Sequence, residues 1–105
     1  RAIEAGVRIA AGTDAGTGYN PHGGLPEQIA LLGKHGMAPE RAVTAATRDA
    51  AHAVGLSETH GRLTTGRRAD LFVVDGDPFI ELAALRNVRA VYLAGRLVDT
   101  AGAAA

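Results

Sequence analysis

The sequence predicts an α/β protein whose first part alternates strand, loop and helix and whose second part is mainly β. Two observations support this prediction: apolar residues recur at helical spacing between residues 25 and 55, and short apolar runs typical of strands follow after residue 61. The chain of 105 residues is 47% hydrophobic, which is enough for a modest core. We predict domains over residues 1–60 and 61–100, with a disordered tail over residues 101–105.

The first part is predicted to run from a buried strand through a long loop into helices. Residues 7–12 are mostly apolar and follow a glycine, as expected of a buried strand. Residues 12–24 are rich in turn formers and predict a loop. Prolines near their starts and glycines at their ends predict helices over residues 25–36 and 39–55, the second broken near Thr47.

The second part is predicted to contain strands joined by short connections. Residues 69–75 hold a run of four apolar side chains between turn formers, which predicts a strand covered on both faces. Residues 80–85 predict a short helical turn. Residues 88–93 and 96–98 flank the pair Ala94-Gly95, and this arrangement predicts a two-stranded hairpin.

Charge and composition exclude several classes of partner. The chain has 11 basic and 11 acidic residues, so it lacks the excess of Lys and Arg that binding to nucleic acid or to an anionic membrane surface requires. No apolar run approaches the ~20 residues that cross a bilayer. The absence of Cys excludes disulfides and thiolate metal sites. It is compatible with the cytoplasmic location that we favour, and it does not fix the compartment.

Asp14 is the most informative residue of the loop. It follows the predicted strand directly, and α/β barrels assemble their catalytic groups at this end of their strands. The alternative is that Asp14 only forms an Asx-turn beside Gly16. The glycines of the same loop also suggest a phosphate cradle, but their spacing differs from that of known phosphate-binding motifs and no Lys-Ser or Lys-Thr follows.

Four segments of the chain carry a family resemblance. They are Gly-Thr-Asp-Ala-Gly-Thr at residues 12–17, Pro-His-Gly at 21–23, Ala-Ala-Thr-Arg-Asp-Ala-Ala at 45–51, and the glycine-, arginine- and aspartate-rich stretch at 61–78. In this order they resemble the C-terminal part of a metal-dependent amidohydrolase. The first two are similar to the branch of that superfamily that contains imidazolonepropionases and prolidase-like enzymes.

The resemblance implies a specific architecture. Residues 7–12 would be the last strand of a TIM-like (β/α)8 barrel, residues 25–55 its closing helices, and residues 61–98 the C-terminal strands of a small β-sandwich domain. The chain begins at Arg1 and its one methionine is Met37. Together with the resemblance, this leads us to expect a C-terminal fragment whose partner is the rest of its own barrel.

The resemblance also implies a role for Asp14. In such enzymes the matching aspartate helps to bind a divalent metal, here expected to be zinc, and takes a proton from the metal-activated water. It later delivers this proton to the leaving amine. The chemistry is reasonable, because the attacking water needs a base within hydrogen-bond reach and the leaving amine needs an acid. The expected substrate is a small molecule with an amide, cyclic amide or peptide bond.

The histidines are weaker candidates. His22 lies on the same loop as Asp14 and would contact a carboxylate or carbonyl of the substrate, although a solvent-exposed loop histidine fits the sequence equally well. His35 ends the first predicted helix, where an imidazole interacts favourably with carbonyl groups. His52 and His60 carry no motif.

A single aspartate cannot hold a catalytic zinc ion, which usually has three protein ligands. The resemblance assigns the other ligands to positions upstream of this chain, so the isolated 105 residues are expected to be inactive. The alternatives are a non-catalytic module that binds a small ligand or a protein, and a family member that has lost its catalytic groups. Homo-oligomerisation stays open.

Overall fold

The computed structural model describes residues 1–14, 16, 18 and 23–98. These ranges contain three α-helices, one 3-10 helix and a three-stranded sheet. In chain order the elements are α1 (Leu25–Lys34), α2 (Pro39–Ala46), α3 (Arg48–Ala53), β1 (Leu71–Val74), the 3-10 helix (Leu82–Arg86), β2 (Val88–Leu93) and β3 (Arg96–Val98). The predicted helices, helical turn, second-part strand and hairpin are therefore confirmed.

The helix boundaries follow local chemistry. The chain reverses after α1 at Gly36, whose φ of 105° is accessible to glycine without steric cost. The predicted break in the second helix is confirmed at Thr47, which separates α2 from α3. The hydroxyl of Thr47 donates to the Val43 carbonyl at 2.9 Å, so it satisfies the end of α2 and does not cap α3. No helix within the described ranges is long and apolar enough to cross a membrane.

The core is small and lies between the helices. Its buried side chains are Ile29, Met37, Ala42, Ala45 and Leu85. Two of these five are alanines on α2, and their small size lets neighbouring segments approach that helix closely. Leu85 belongs to the 3-10 helix, so the second part of the chain contributes to the core of the first. The division into domains at residues 60 and 61 stays a prediction.

The sheet is an antiparallel meander in the order β1-β2-β3. Leu71 lies opposite Tyr92, and Val91 lies opposite Val98, with an irregularity in the register between Val73 and Val74. The turn between β2 and β3 has φ angles of 53° at Ala94 and 79° at Gly95. Two positive φ angles in a two-residue loop are typical of the tight turns that match the twist of a hairpin.

The prediction that β1 is covered on both faces is wrong for the part of the chain that the structure describes. Phe72 is 47% exposed and Val73 is 42% exposed, and consecutive strand residues point to opposite faces of a sheet. The apolar run indicates that both faces favour burial. It does not indicate which segment covers them. The predicted cover and the observed exposure of Phe72 and Val73 differ for this reason.

Residues 7–12 form no hydrogen-bonded strand within the described ranges, so their place as a barrel strand stays a prediction. The segment pairs with no strand of the described ranges, and Val7 is 51% exposed. Its Ala11 amide donates instead to the Ala45 carbonyl of α2 at 2.9 Å. A strand requires a neighbouring strand as well as an apolar sequence, and an apolar sequence alone cannot supply one.

Asp70 links the start of β1 to the hairpin turn. Its Oδ1 accepts hydrogen bonds from the Arg68 guanidinium and from the Ala94 backbone N–H, each at 2.8 Å. These bonds hold the pKa of Asp70 below its ordinary value of 3.8. The bond from Arg68 is the largest cause and the bond from Ala94 is the second. The charge of a protonated His60, 3.9 Å away, acts in the same direction.

Acid is expected to weaken this link. Because the folded-state pKa is the lower one, the stabilisation is complete above the unfolded-state pKa and is lost as the pH falls through the folded-state value. The free energy of unfolding, measured by urea titration between about pH 6 and about pH 3, should therefore fall less steeply in Asp70→Asn and in Arg68→Gln than in the unsubstituted protein. Identical pH dependence in all three proteins would contradict this prediction.

Candidate active site

Asp14 lies at the end of the segment formed by residues 7–14, which we call the Asp14 segment. Its side chain is exposed, and its φ is 53°, in the left-handed region. Among residues other than glycine, Asp and Asn adopt this conformation most readily. Backbone conformations of this kind cluster at functional sites. The structure therefore presents the predicted carboxylate at the surface in a conformation that restricts which residues can replace it.

The Asp14 segment is attached to α2 by two hydrogen bonds that involve its backbone. The Arg41 guanidinium donates to the Val7 carbonyl at 3.3 Å, and the Ala11 amide donates to the Ala45 carbonyl at 2.9 Å. Ile9 and Ala11 also pack against the core. One side of the segment is thus held against the helices along most of its length.

An ion pair attaches the same segment to α3. The Arg8 guanidinium donates to Oδ1 of Asp49 from Nε at 3.3 Å and from Nη2 at 3.2 Å. Nε of Arg48 donates to the same oxygen at 3.3 Å. The Asp49 side chain is only 11% exposed, whereas the Arg8 side chain is 56% exposed. The Asp49 carboxylate therefore lies in a largely buried position between two guanidinium groups.

Sequence reasoning did not identify this ion pair. A signal was present, because Arg8 interrupts an otherwise apolar segment and a charge at such a position usually requires a partner. The partner lies 41 residues away in the chain, and the sequence pattern does not specify it.

The described residues do not form a metal site by themselves. They contain no group of three or more His, Cys, Asp or Glu side chains that could hold a metal ion. The carboxylate of Asp14 is a suitable donor for a divalent cation, but it would be one ligand of several. His22 lies outside the described residues, so its predicted contact with substrate stays a prediction.

The structure also contains a surface cavity of about 240 Å³ between the end of β1 and the 3-10 helix. Its lining includes the acidic residues Asp75, Asp77 and Glu81 and does not include Asp14. Asp75 pairs with Arg89 at 2.9 Å, and Asp77 accepts a hydrogen bond from the Phe79 amide at 2.9 Å. These two carboxylates therefore have partners in the fold.

Comparison with a family model matches residues 1–98 to the amidohydrolase family. Two similar curated proteins are imidazolonepropionases. That of Flavobacterium johnsoniae is 43% identical over 72 residues, covering 68% of this chain and 18% of the relative. That of Geobacillus kaustophilus is 34% identical over 106 residues, covering 97% of this chain and 25% of the relative.

A similar solved structure is that of a Xaa-Pro dipeptidase with methionine bound in its active site. It superposes with a TM-score of 0.87 at 34% identity, over 93% of this chain and 24% of the dipeptidase. The chain therefore spans about a quarter of the length of these relatives, or less. The match over residues 1–98 and the likeness to these proteins establish that the chain belongs to the amidohydrolase family.

Proposed function

We propose that the whole protein to which this chain belongs hydrolyses a C–N bond of a small molecule, with Asp14 as a catalytic residue and metal ligand. The observation that carries the proposal is the exposed, left-handed Asp14 at the end of a segment held against α2 and α3, within a family match that includes it. The substrate class is a cyclic amide or a dipeptide, because the relatives are imidazolonepropionases and a Xaa-Pro dipeptidase.

Asp14 would transfer one proton in two steps. Its carboxylate accepts a proton from the water that attacks the carbonyl carbon, and a C–O bond forms. The protonated carboxyl then donates that proton to the nitrogen as the C–N bond breaks, so the amine leaves neutral and Asp14 returns to its ionised form. General acid–base catalysis of this kind contributes about 10²- to 10⁴-fold to the rate.

The amidohydrolase superfamily is generally metal-dependent, and we propose a divalent metal ion, zinc, as the cofactor. When bound, such an ion lowers the pKa of a water molecule toward neutrality. Asp14 fits as one oxygen ligand. The family resemblance implies that the remaining ligands come from parts of the whole protein outside this chain. The described residues contain no group of ligands that would replace them.

We also propose that the sheet belongs to a β-sandwich and that the Asp14 segment is the last strand of a barrel. The exposed apolar residues Phe72 and Val73 on opposite faces of β1 support the first proposal, because apolar sheet faces are usually buried against another layer. The core contacts of Ile9 and Ala11, with Val7 exposed, support the second.

The test is metal-dependent hydrolysis by the whole protein. We expect turnover of either an imidazolone-ring amide with a propionate side chain or an Xaa-Pro dipeptide. Removal of metal by a chelator should abolish turnover, and zinc should restore it. The isolated 105-residue chain should show no turnover and no stoichiometric binding of zinc, because one carboxylate is too few ligands.

The other outcomes separate the alternatives. Hydrolysis that is insensitive to chelation would contradict the metal-dependent mechanism. Binding of these compounds by the whole protein without turnover would favour a non-catalytic binding protein. Stoichiometric zinc and hydrolysis by the isolated chain would contradict the assignment of the remaining ligands to other parts of the protein.

A further inference from the structure

We infer that Asp49, acting through Arg8, is a positioning residue for Asp14. This inference rests on the proposed function, since it concerns how the fold holds the proposed catalytic carboxylate. Asp49 is a largely buried charged residue that the proposed chemistry does not use. Its two hydrogen bonds from Arg8 connect α3 to the segment that ends in Asp14.

A contribution to stability does not by itself explain this ion pair. Burying a carboxylate costs solvation free energy that its partners repay only in part, so buried ion pairs are weak evidence for stability. Their best-supported use is to select one register among similar packings. The hydrogen bonds at Val7 and Ala11 fix the segment to α2, and the apolar contacts of Ile9 and Ala11 are not directional. The pair of Arg8 with Asp49 therefore supplies the directional contact that fixes the segment to α3.

The backbone between Arg8 and Asp14 transmits this selection to Asp14. Because residues 8–14 are joined by planar peptide units of fixed dimensions, a displacement of the Arg8 backbone shifts the residues that follow it up to Asp14. The Arg8 guanidinium is fixed by two donors to one oxygen, and the Ala11 amide is fixed on the Ala45 carbonyl between Arg8 and Asp14. A displacement of about 1 Å at a catalytic group can cost 10²-fold in rate.

The experiment measures kcat and KM in the whole protein for Asp49→Asn, Asp14→Asn and the double variant. Asp49→Asn should lower kcat by about 10- to 100-fold, the range found when groups that orient catalytic ligands are removed, and leave KM unchanged. In the Asp14→Asn background the same substitution should have no further effect, because the group that it positions is already lost.

A second measurement does not depend on activity. Hydrogen exchange of the Ala11 amide, followed in the metal-free whole protein, should become faster in Asp49→Asn, because the segment is no longer fixed to α3. Arg8→Lys keeps the charge and should retain more kcat than Arg8→Gln. The matched control is Asp75→Asn, which removes an exposed ion pair with Arg89 and should change neither kcat nor exchange at Ala11.

The results distinguish this inference from the proposed function. If Asp14→Asn loses turnover while Asp49→Asn and Arg8→Gln keep it, the positioning role is contradicted and the proposed function stands. An equal loss from Asp49→Asn with and without the Asp14 carboxylate would also contradict positioning, since it would show a general structural effect. If Asp49→Asn fails to fold, Arg8→Gln decides the question, because Arg8 is 56% exposed. Full turnover by Asp14→Asn would contradict both.

Discussion

Replacing Asp14 by Asn in the whole protein is expected to lower kcat by about 10²- to 10⁴-fold. The amide of Asn cannot accept the proton of the attacking water and cannot deliver a proton to the leaving amine. Asn is the appropriate substitute because it has nearly the same size and also tolerates the left-handed φ of 53° at this position. Asp14→Ala would add backbone strain and confuse the two effects.

The matched control for this prediction is Asp77→Asn. Asp77 is another exposed turn aspartate, and its oxygen accepts a hydrogen bond from the Phe79 amide that an Asn oxygen can also accept. It should keep full turnover. Steady-state kinetics and circular dichroism of both variants provide the comparison. Near-normal hydrolysis by a folded Asp14→Asn protein would remove Asp14 from the proposed chemistry.

The local elements of this chain were predictable because their signals are local. The two-residue turn at Ala94-Gly95 and the flanking apolar strands specify the hairpin, and the structure contains it at the predicted residues. Prolines at helix starts and the glycine at residue 36 similarly specify where helices begin and end. These features depend on steric and hydrogen-bonding preferences within a few residues.

What was not predictable depends on contacts between distant residues. The apolar segment over residues 7–12 has the composition of a strand, yet strand pairing requires a neighbour that the composition does not identify. The ion pair of Arg8 with Asp49 spans 41 residues. The position of Arg8 in an apolar segment indicates that it needs a partner, but it does not indicate which residue that partner is. The role of Asp14, by contrast, is predicted from its position after the segment and from the family resemblance, and it stays a prediction.

The position of Gly61 was also not predictable from its neighbours, and it leads to the largest expected effect on stability. Gly61 has a φ of 89° and lies against the junction of α2 and α3. A Cβ there would be 2.8 Å from the Ala51 Cβ, 2.8 Å from the Thr47 carbonyl oxygen and 3.2 Å from the Arg48 Cα. Real Cβ atoms do not approach backbone atoms this closely, so an alanine would have to displace the helix junction.

Gly61→Ala is therefore expected to lower the free energy of unfolding by about 2–5 kcal/mol. A left-handed alanine contributes about 1–2 kcal/mol of this loss, and overpacking contributes about 1–3 kcal/mol.

Gly66→Ala is the matched control, because Gly66 has a φ of 86° and open space around the added Cβ. In Gly66→Ala the free energy of unfolding should fall only by the contribution of the left-handed alanine. Urea denaturation of both variants measures the difference, and equal losses would show that the junction of α2 and α3 yields to the added methyl group. A clearly larger loss in Gly61→Ala would mean that the loop before β1 packs against the same junction that carries Asp49, so this glycine helps to fix the position of α3 behind the Asp14 segment.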